Sequence, residues 1–322
     1  MQTIIGKTKK VRTLINFVLI LTCMWTQLTL GQSAKIVQVA EDVFLIEDLG
    51  CNVLAVTGSE GVLLIDTGAA SNTDRLEAAL DELDAGPVLF VLNTHFHFDH
   101  VGSNEYLAKK GAVIIAHEKT RERMQAEWNV PEMLGIRYPV IPPYPLSALP
   151  KMVFRNNLKM YFGGQEIELI HFGRAHSDAD IAIFLRDRNV LHAGDLYLSN
   201  GFPAIDVFYG GSVDGTLSVL DSLAAAIGDE TKVVPGHGPV VGRNDLLGYR
   251  TMLARAQERV LTLINEGKTL EEIVAADPIA DLYPGKSWLP PKLFILAVNI
   301  EAKGEKWFPF CPVFNFSFCL FR

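Results

Sequence analysis

Apolar residues recur in short runs at the start of the chain, and their spacing predicts strands. Residues 37–39, 43–46, 53–57 and 62–66 are four such runs, with Gly58 and Gly61 marking a turn between the last two. Short runs joined this closely are expected to pair antiparallel as a meander. The period then changes. Leu76, Leu80 and Leu83 fall at three- and four-residue steps within 71–83, which puts them on one face of a helix that would cover the sheet. A strand returns at 88–92, a short helix follows at 104–110, and a further strand at 113–116 ends in His117, whose expected role is to cap that strand.

The second half repeats the scheme. Apolar runs at 158–162, 166–172, 181–185, 190–193 and 232–234 read as strands, with a helix over 213–225 and a longer one over 245–265. Thr269-Leu270-Glu271-Glu272 has the form of a capping box that opens a further short helix, and 291–303 reads as the last one. Two similar strand-rich halves, each flanked by helices, predict an α/β architecture, a four-layer αβ/βα sandwich in a single domain over 35–303. Between the halves, Pro131, Pro139, Pro142, Pro143, Pro145 and Pro150 interrupt all periodicity. A long irregular segment in a compact domain is usually functional. With Trp128, Met133, Tyr138 and Tyr144 in or beside it, this one is expected to form a semi-rigid apolar wall over a site.

The chemistry sits directly after the run 88–92. Thr94-His95-Phe96-His97-Phe98-Asp99-His100 places four potential metal ligands within six residues. Imidazole and carboxylate together suit zinc or a similar first-row metal, and alternate residues of an extended turn can point two imidazoles at one ion while Asp99 and His100 reach a second. This segment resembles the H-x-H-x-D-H signature of the metallo-β-lactamase superfamily of hydrolases, and the resemblance extends from about residue 43 to 249. It implies further ligands on loops after later strands, and His176, Asp195 and His237 follow in the expected order. By that resemblance His95, His97 and His176 would hold one metal, Asp99, His100 and His237 the other, and Asp195 would bridge them. Asp66 would support the metal loop from beneath. The implied cofactors are two zinc ions per chain, with iron or manganese also suited to these ligands.

Two such ions are expected to hold a bridging hydroxide that attacks a small ester, thioester, lactone or amide, while Asp99 orients it and carries a proton to the leaving atom. His97 stands where the flavodiiron proteins of the superfamily resemble H-x-E-x-D, which favours hydrolysis over an iron-based oxidoreductase. Asp195 stands where the broad-range zinc β-lactamases place Cys, so it is more similar to glyoxalase II and lactonase-type members than to a true β-lactamase, which remains the alternative. Near the site, His192 is expected behind the ligands, and Tyr197, Ser199 and Asn200 are candidates to line a pocket. Arg174 is a candidate partner for a substrate carboxylate, His171 a core histidine and Cys51 an unreactive small hydrophobe.

The first 31 residues change the picture of where the protein works. Lys7, Lys9, Lys10 and Arg12 precede an apolar stretch from Leu14 to Trp25 and small residues around Gly31, the layout of a cleavable secretory signal with cleavage near Gly31 or Ala34. The stretch is short for a spanning helix, so membrane contact is expected only through this signal, and the location periplasmic or secreted. Cleavage would take 29 basic residues to 25 against 37 acidic ones, so the net charge moves from −8 to −12. Such a surface repels phosphate backbones, so a small-molecule substrate is expected and a nucleic acid is not. Cys51, Cys311 and Cys319 would remain, an odd number that leaves at least one free thiol. Residues 304–322 form a Phe-rich tail unlike anything before it.

Overall fold

A computed structural model describes residues 34–283, 287 and 289–304, and the folded unit starts at Lys35. The expected signal over 1–31 and the Phe-rich tail from residue 305 onward lie outside the described residues. Among the described residues no helix is long and apolar enough to cross a membrane.

The predicted meander forms β1 (Lys35–Ala40), β2 (Val43–Glu47), β3 (Val53–Gly58) and β4 (Gly61–Ile65), paired antiparallel in chain order. The same sheet continues in parallel through β5 (Val88–Asn93), β6 (Val113–His117) and β7 (Met152–Phe154). Parallel neighbours need a crossover, and helix α1 (Thr73–Leu83) supplies the one between β4 and β5. Its face behaves as its spacing predicts: Leu76 is buried, while Leu80 and Leu83 are half-buried. After β5 come α2 (Phe98–Val101) and α3 (Asn104–Lys109), and after β6 comes α4 (Glu118–Met124).

The second sheet follows the same plan. β8 (Asn157–Phe162), β9 (Gln165–Ile170), β10 (Ala182–Leu185) and β11 (Val190–Leu198) pair antiparallel, and β12 (Lys232–His237) joins β11 in parallel after the crossover helix α5 (Val213–Ala226). Then follow α6 (Arg243–Asn265), α7 (Leu270–Ala276) and α8 (Lys292–Ala302). The capping box at α7 is formed: Glu272 N–H donates to Thr269 Oγ1, and Thr269 N–H to Glu272 Oε2.

The sheets bury one face against each other. Leu45, Leu54, Val56, Leu63 and Ile65 of the first meet Ile167, Leu169, Ile183 and Leu185 of the second, each fully buried side chain contributing about 1.5–3 kcal/mol of transfer free energy. Phe184, Leu191 and Ala193 instead pack outward against Leu220 and Leu223 of α5, Leu253 of α6 and Ile295 of α8. The result is the predicted αβ/βα sandwich. Both sheets deliver the carboxyl ends of parallel strands, β4 and β5 in the first and β11 and β12 in the second, to one edge, where open α/β sheets bind ligands.

Two elements escape the sequence pattern. α4 buries only Thr120 and Met124, so it shows no apolar period, and β7 is three residues long directly after the proline-rich segment. His117 both ends β6 and caps α4, its Nδ1 accepting from Lys119 N–H. The proline-rich segment is tied down: Trp128 and Ile141 exchange both backbone hydrogen bonds, Met133 and Ile136 do the same, and Tyr144 N–H donates to the Met124 carbonyl.

Candidate metal centre

Asp66 anchors the loop after β5. It follows β4 in a left-handed conformation at φ 62° and is fully buried. Its carboxylate accepts from Thr94 N–H at 2.8 Å, from Thr94 Oγ1 at 2.7 Å and from His100 Nδ1 at 2.8 Å. A carboxylate on one ring nitrogen fixes the tautomer and leaves the other bare, so Nε2 of His100 is free to bind a metal. A mutual pair between Asn93 and Asn104 holds the loop from the other side.

The same logic sets three more rings. His95 Nδ1 donates to Thr94 Oγ1 at 3.0 Å, His176 Nδ1 to the Ala204 carbonyl at 2.6 Å, and His97 Nε2 to Asp206 Oδ2 at 2.9 Å. The remaining nitrogens face one another, His97 Nδ1 lying 3.1 Å from His95 Nε2 and 2.9 Å from His176 Nε2. With every outer nitrogen committed as a donor, three lone pairs converge with no proton between them. Burial first, and the crowding of His100, His176 and His97 around it second, hold the pKa of His95 well below its ordinary value, so the ring stays neutral. A cation is what this arrangement fits.

A second group lies beside the first. His237 Nε2 is 3.3 Å from Asp99 Oδ2, and Asp99 Oδ2 is 3.8 Å from His100 Nε2. Asp195 stands between the groups, with Oδ1 at 3.3 Å from His100 Nε2 and 3.5 Å from His237 Nε2, and Oδ2 at 3.9 Å from His176 Nε2. His100 Nε2 and Asp195 Oδ1 are buried without any hydrogen bond, a cost that two coordinated cations would remove. Burial opposes charge here but loses to the opposite charges. His237 is raised to about 9 by Asp195 and Asp99, and Asp195 is held well below the carboxylate range by His237 and His100.

All seven sequence-predicted ligands are thus brought together. Asp66 takes the supporting position expected of it. His192 is buried behind the site, donating from Nε2 to the Asn52 carbonyl at 3.2 Å. The expectation that Tyr197 lines a pocket is corrected: it packs edge-on against Tyr249 at 4.8 Å, in the core between the second sheet and the helices. Asn200 lies against Gly238, the residue after His237. Arg174 is not available for a substrate carboxylate through its Nε, which donates to the Gly210 carbonyl at 2.6 Å. Cys51 is buried beside His100 and Asp66, and burial pushes its thiol up to about 12.

Two participants were not read from the sequence. Asn52 donates from Nδ2 to the carbonyls of Pro235 and Gly238 at 2.9 and 2.8 Å, clamping the turn that carries His237. Asp206 binds His97 and also accepts from Trp128 Nε1 at 3.2 Å. Its signal was present: Asp206 is the lone charged residue between Phe202 and Tyr209. Beyond it opens a cleft walled by the proline-rich segment and α8, with His97, His176 and Asp206 among its lining residues.

A family model described as the metallo-beta-lactamase superfamily matches residues 46–238. A metallo-beta-lactamase type 2 from Bacillus cereus is 27% identical over 205 residues, covering 62% of this chain and 72% of its own. One from Bacteroides fragilis is 24% identical over 193 residues, covering 59% and 70%. Among solved structures, the sec-alkylsulfatase Pisa1 from Pseudomonas sp. aligns with a TM-score of 0.64 at 20% identity, over 84% of this chain and 50% of that one. A metallo-beta-lactamase from Pontibacter korlensis aligns with a TM-score of 0.56 at 20% identity, over 69% and 99%. At these identities the structural likeness speaks for the fold alone.

Proposed function

Because the chain belongs to the metallo-beta-lactamase superfamily and is a hydrolase of that family, we propose that it is a dinuclear enzyme, with zinc as the metal, that cleaves a small ester, thioester, lactone or amide. His95, His97 and His176 would hold one ion and Asp99, His100 and His237 the other, with Asp195 between them. The observation that carries this reading is Asp195, whose two oxygens face the two histidine groups separately. When bound, two such ions lower the pKa of a water toward neutrality and polarise the bond to be cleaved.

The chain's own residues supply the rest. Asp66, Asp206, Thr94 and the Ala204 carbonyl hold the four rings in the tautomers that ligation needs. Asp99 is the most exposed carboxylate of the group, its side chain 15% accessible against 5% for Asp195. It is therefore the carboxylate best placed on the substrate side, where it can accept a proton and return it to the leaving atom. The basic and then apolar N-terminus supports export to the periplasm or the medium, and N-terminal sequencing of the mature protein tests that.

A second reading, a true β-lactamase, is favoured by the similarity to the two metallo-beta-lactamases type 2. One experiment separates the readings: turnover of a chromogenic β-lactam and of p-nitrophenyl acetate by the zinc-loaded protein, with and without chelator. Chelator-sensitive ester cleavage without β-lactam turnover is expected. Efficient β-lactam turnover would establish the second reading, and no chelator-sensitive cleavage of either would overturn the first. Asp99→Ala should lower ester cleavage by about 10²-fold or more with the far-UV circular dichroism unchanged; full activity would remove Asp99 from the mechanism.

A further inference from the structure

We propose that the substrate carries an uncharged apolar chain, which lies in the cleft between the proline-rich segment and α8 with the scissile group at the metal centre. This rests on the hydrolase reading above and names its substrate class. The cleft is open to solvent and, counting its mouth, holds about 520 Å³ of empty space. One wall is Trp128, Met133 and Tyr138, and the other is Leu293, Leu296 and Ala297. The histidines and the carboxylate of the lining sit together, His97 and His176 adjoining the metal centre and Asp206 binding His97.

Charge decides what this shape can hold. Among the described residues no lysine or arginine lines the cleft. Lys292, beside it on α8, donates from Nζ to the Leu134 carbonyl at 2.7 Å, which ties the two walls together. An anionic substituent lying along these two walls would lose its water and find no lysine or arginine to pair with. An alkyl chain loses only its contact with water, which is favourable. The α8 wall also lies beyond residues 46–238 that match the family, so chain selectivity would come from a part of this protein outside that matched region.

The test uses the full zinc-loaded chain and p-nitrophenyl esters from acetate to octanoate. kcat/KM is expected to rise roughly threefold per added methylene until the cleft is filled. Leu293→Gln on one wall and Ala297→Leu beside it should each lower the ratio of octanoate to acetate kcat/KM about tenfold. Independently of turnover, 1-octanol should perturb tryptophan fluorescence at far lower concentration than 1-butanol, and Leu293→Gln should weaken that response. Ester cleavage with no dependence on chain length would overturn the proposal and leave the hydrolase reading intact. If no ester is cleaved, the hydrolase reading fails by itself, and octanol binding sensitive to Leu293→Gln would still support the apolar cleft; equal responses to both alcohols would overturn it.

Discussion

Gly236 and Asp195 leave each other no spare room. A Cβ at Gly236 would stand 1.9 Å from Asp195 Oδ1, so Gly236→Ala must displace the carboxylate between the two groups. The expected outcome is loss of at least one metal per chain by elemental analysis, with secondary structure retained; two metals still bound would show that Asp195 has freedom the packing does not suggest. Asp206 acts through His97, fixing its ring and leaving Nδ1 bare. Asp206→Ala should weaken metal binding about 10- to 100-fold in competition with a chelator. At this scale the ligands were legible because four of them are crowded into six residues after a strand. Asp206 and Asn52 were not, because their partners lie 109 and 183 residues away in the chain.

Among the elements, the junction of β6 and α4 is held by one histidine. His117 Nε2 donates to the Arg155 carbonyl at 2.7 Å, its Nδ1 accepts from Lys119 N–H, and its ring stacks on His171 at 4.1 Å. Burial first, and the His171 charge second, hold its pKa below the ordinary value near 6.5. The folded state therefore binds this proton less readily than the unfolded chain. Its contribution to stability is present above about pH 6.5 and is lost as pH falls through that value toward the folded pKa. Comparing urea midpoints of the wild type and His117→Asn, the gap between them should narrow from pH 7.5 to pH 5; a constant gap would refute the assignment. The metal-site histidines are common to both proteins and cancel. The meander and the amphipathic helices were legible from period alone, whereas α4, polar over most of its surface, and the three-residue β7 offered no period to read.

Across the whole molecule, the candidate ligands divide between the halves. His95, His97, Asp99 and His100 follow β5 of the first sheet, while His176, Asp195 and His237 come from the second half. A metal bound by both acts as a cross-link that the unfolded chain cannot reproduce. Zinc should therefore raise the thermal midpoint and chelator lower it, each site adding about 2.7 kcal/mol at a free metal concentration 100 times its Kd. Scanning calorimetry measures this, and a midpoint indifferent to zinc would mean that the halves do not share an ion.

By itself the sequence determined the alternation of strands and helices, the sandwich it builds and the four candidate ligands between His95 and His100, since hydrophobic period and local ligand density are properties of neighbouring residues; His176, Asp195 and His237 came from the resemblance to a known family. It also placed Trp128, Met133 and Tyr138 beside the site, through prolines that exclude regular structure. Only the tertiary structure decided which nitrogen of each ring is bare, because that depends on Asp66, Asp206 and the Ala204 carbonyl arriving from elsewhere in the chain. It turned Tyr197 into the helix-covered core, away from the role expected of it. And it set α8 opposite the proline-rich segment, closing a cleft from two stretches more than 140 residues apart, a proximity that no local pattern encodes.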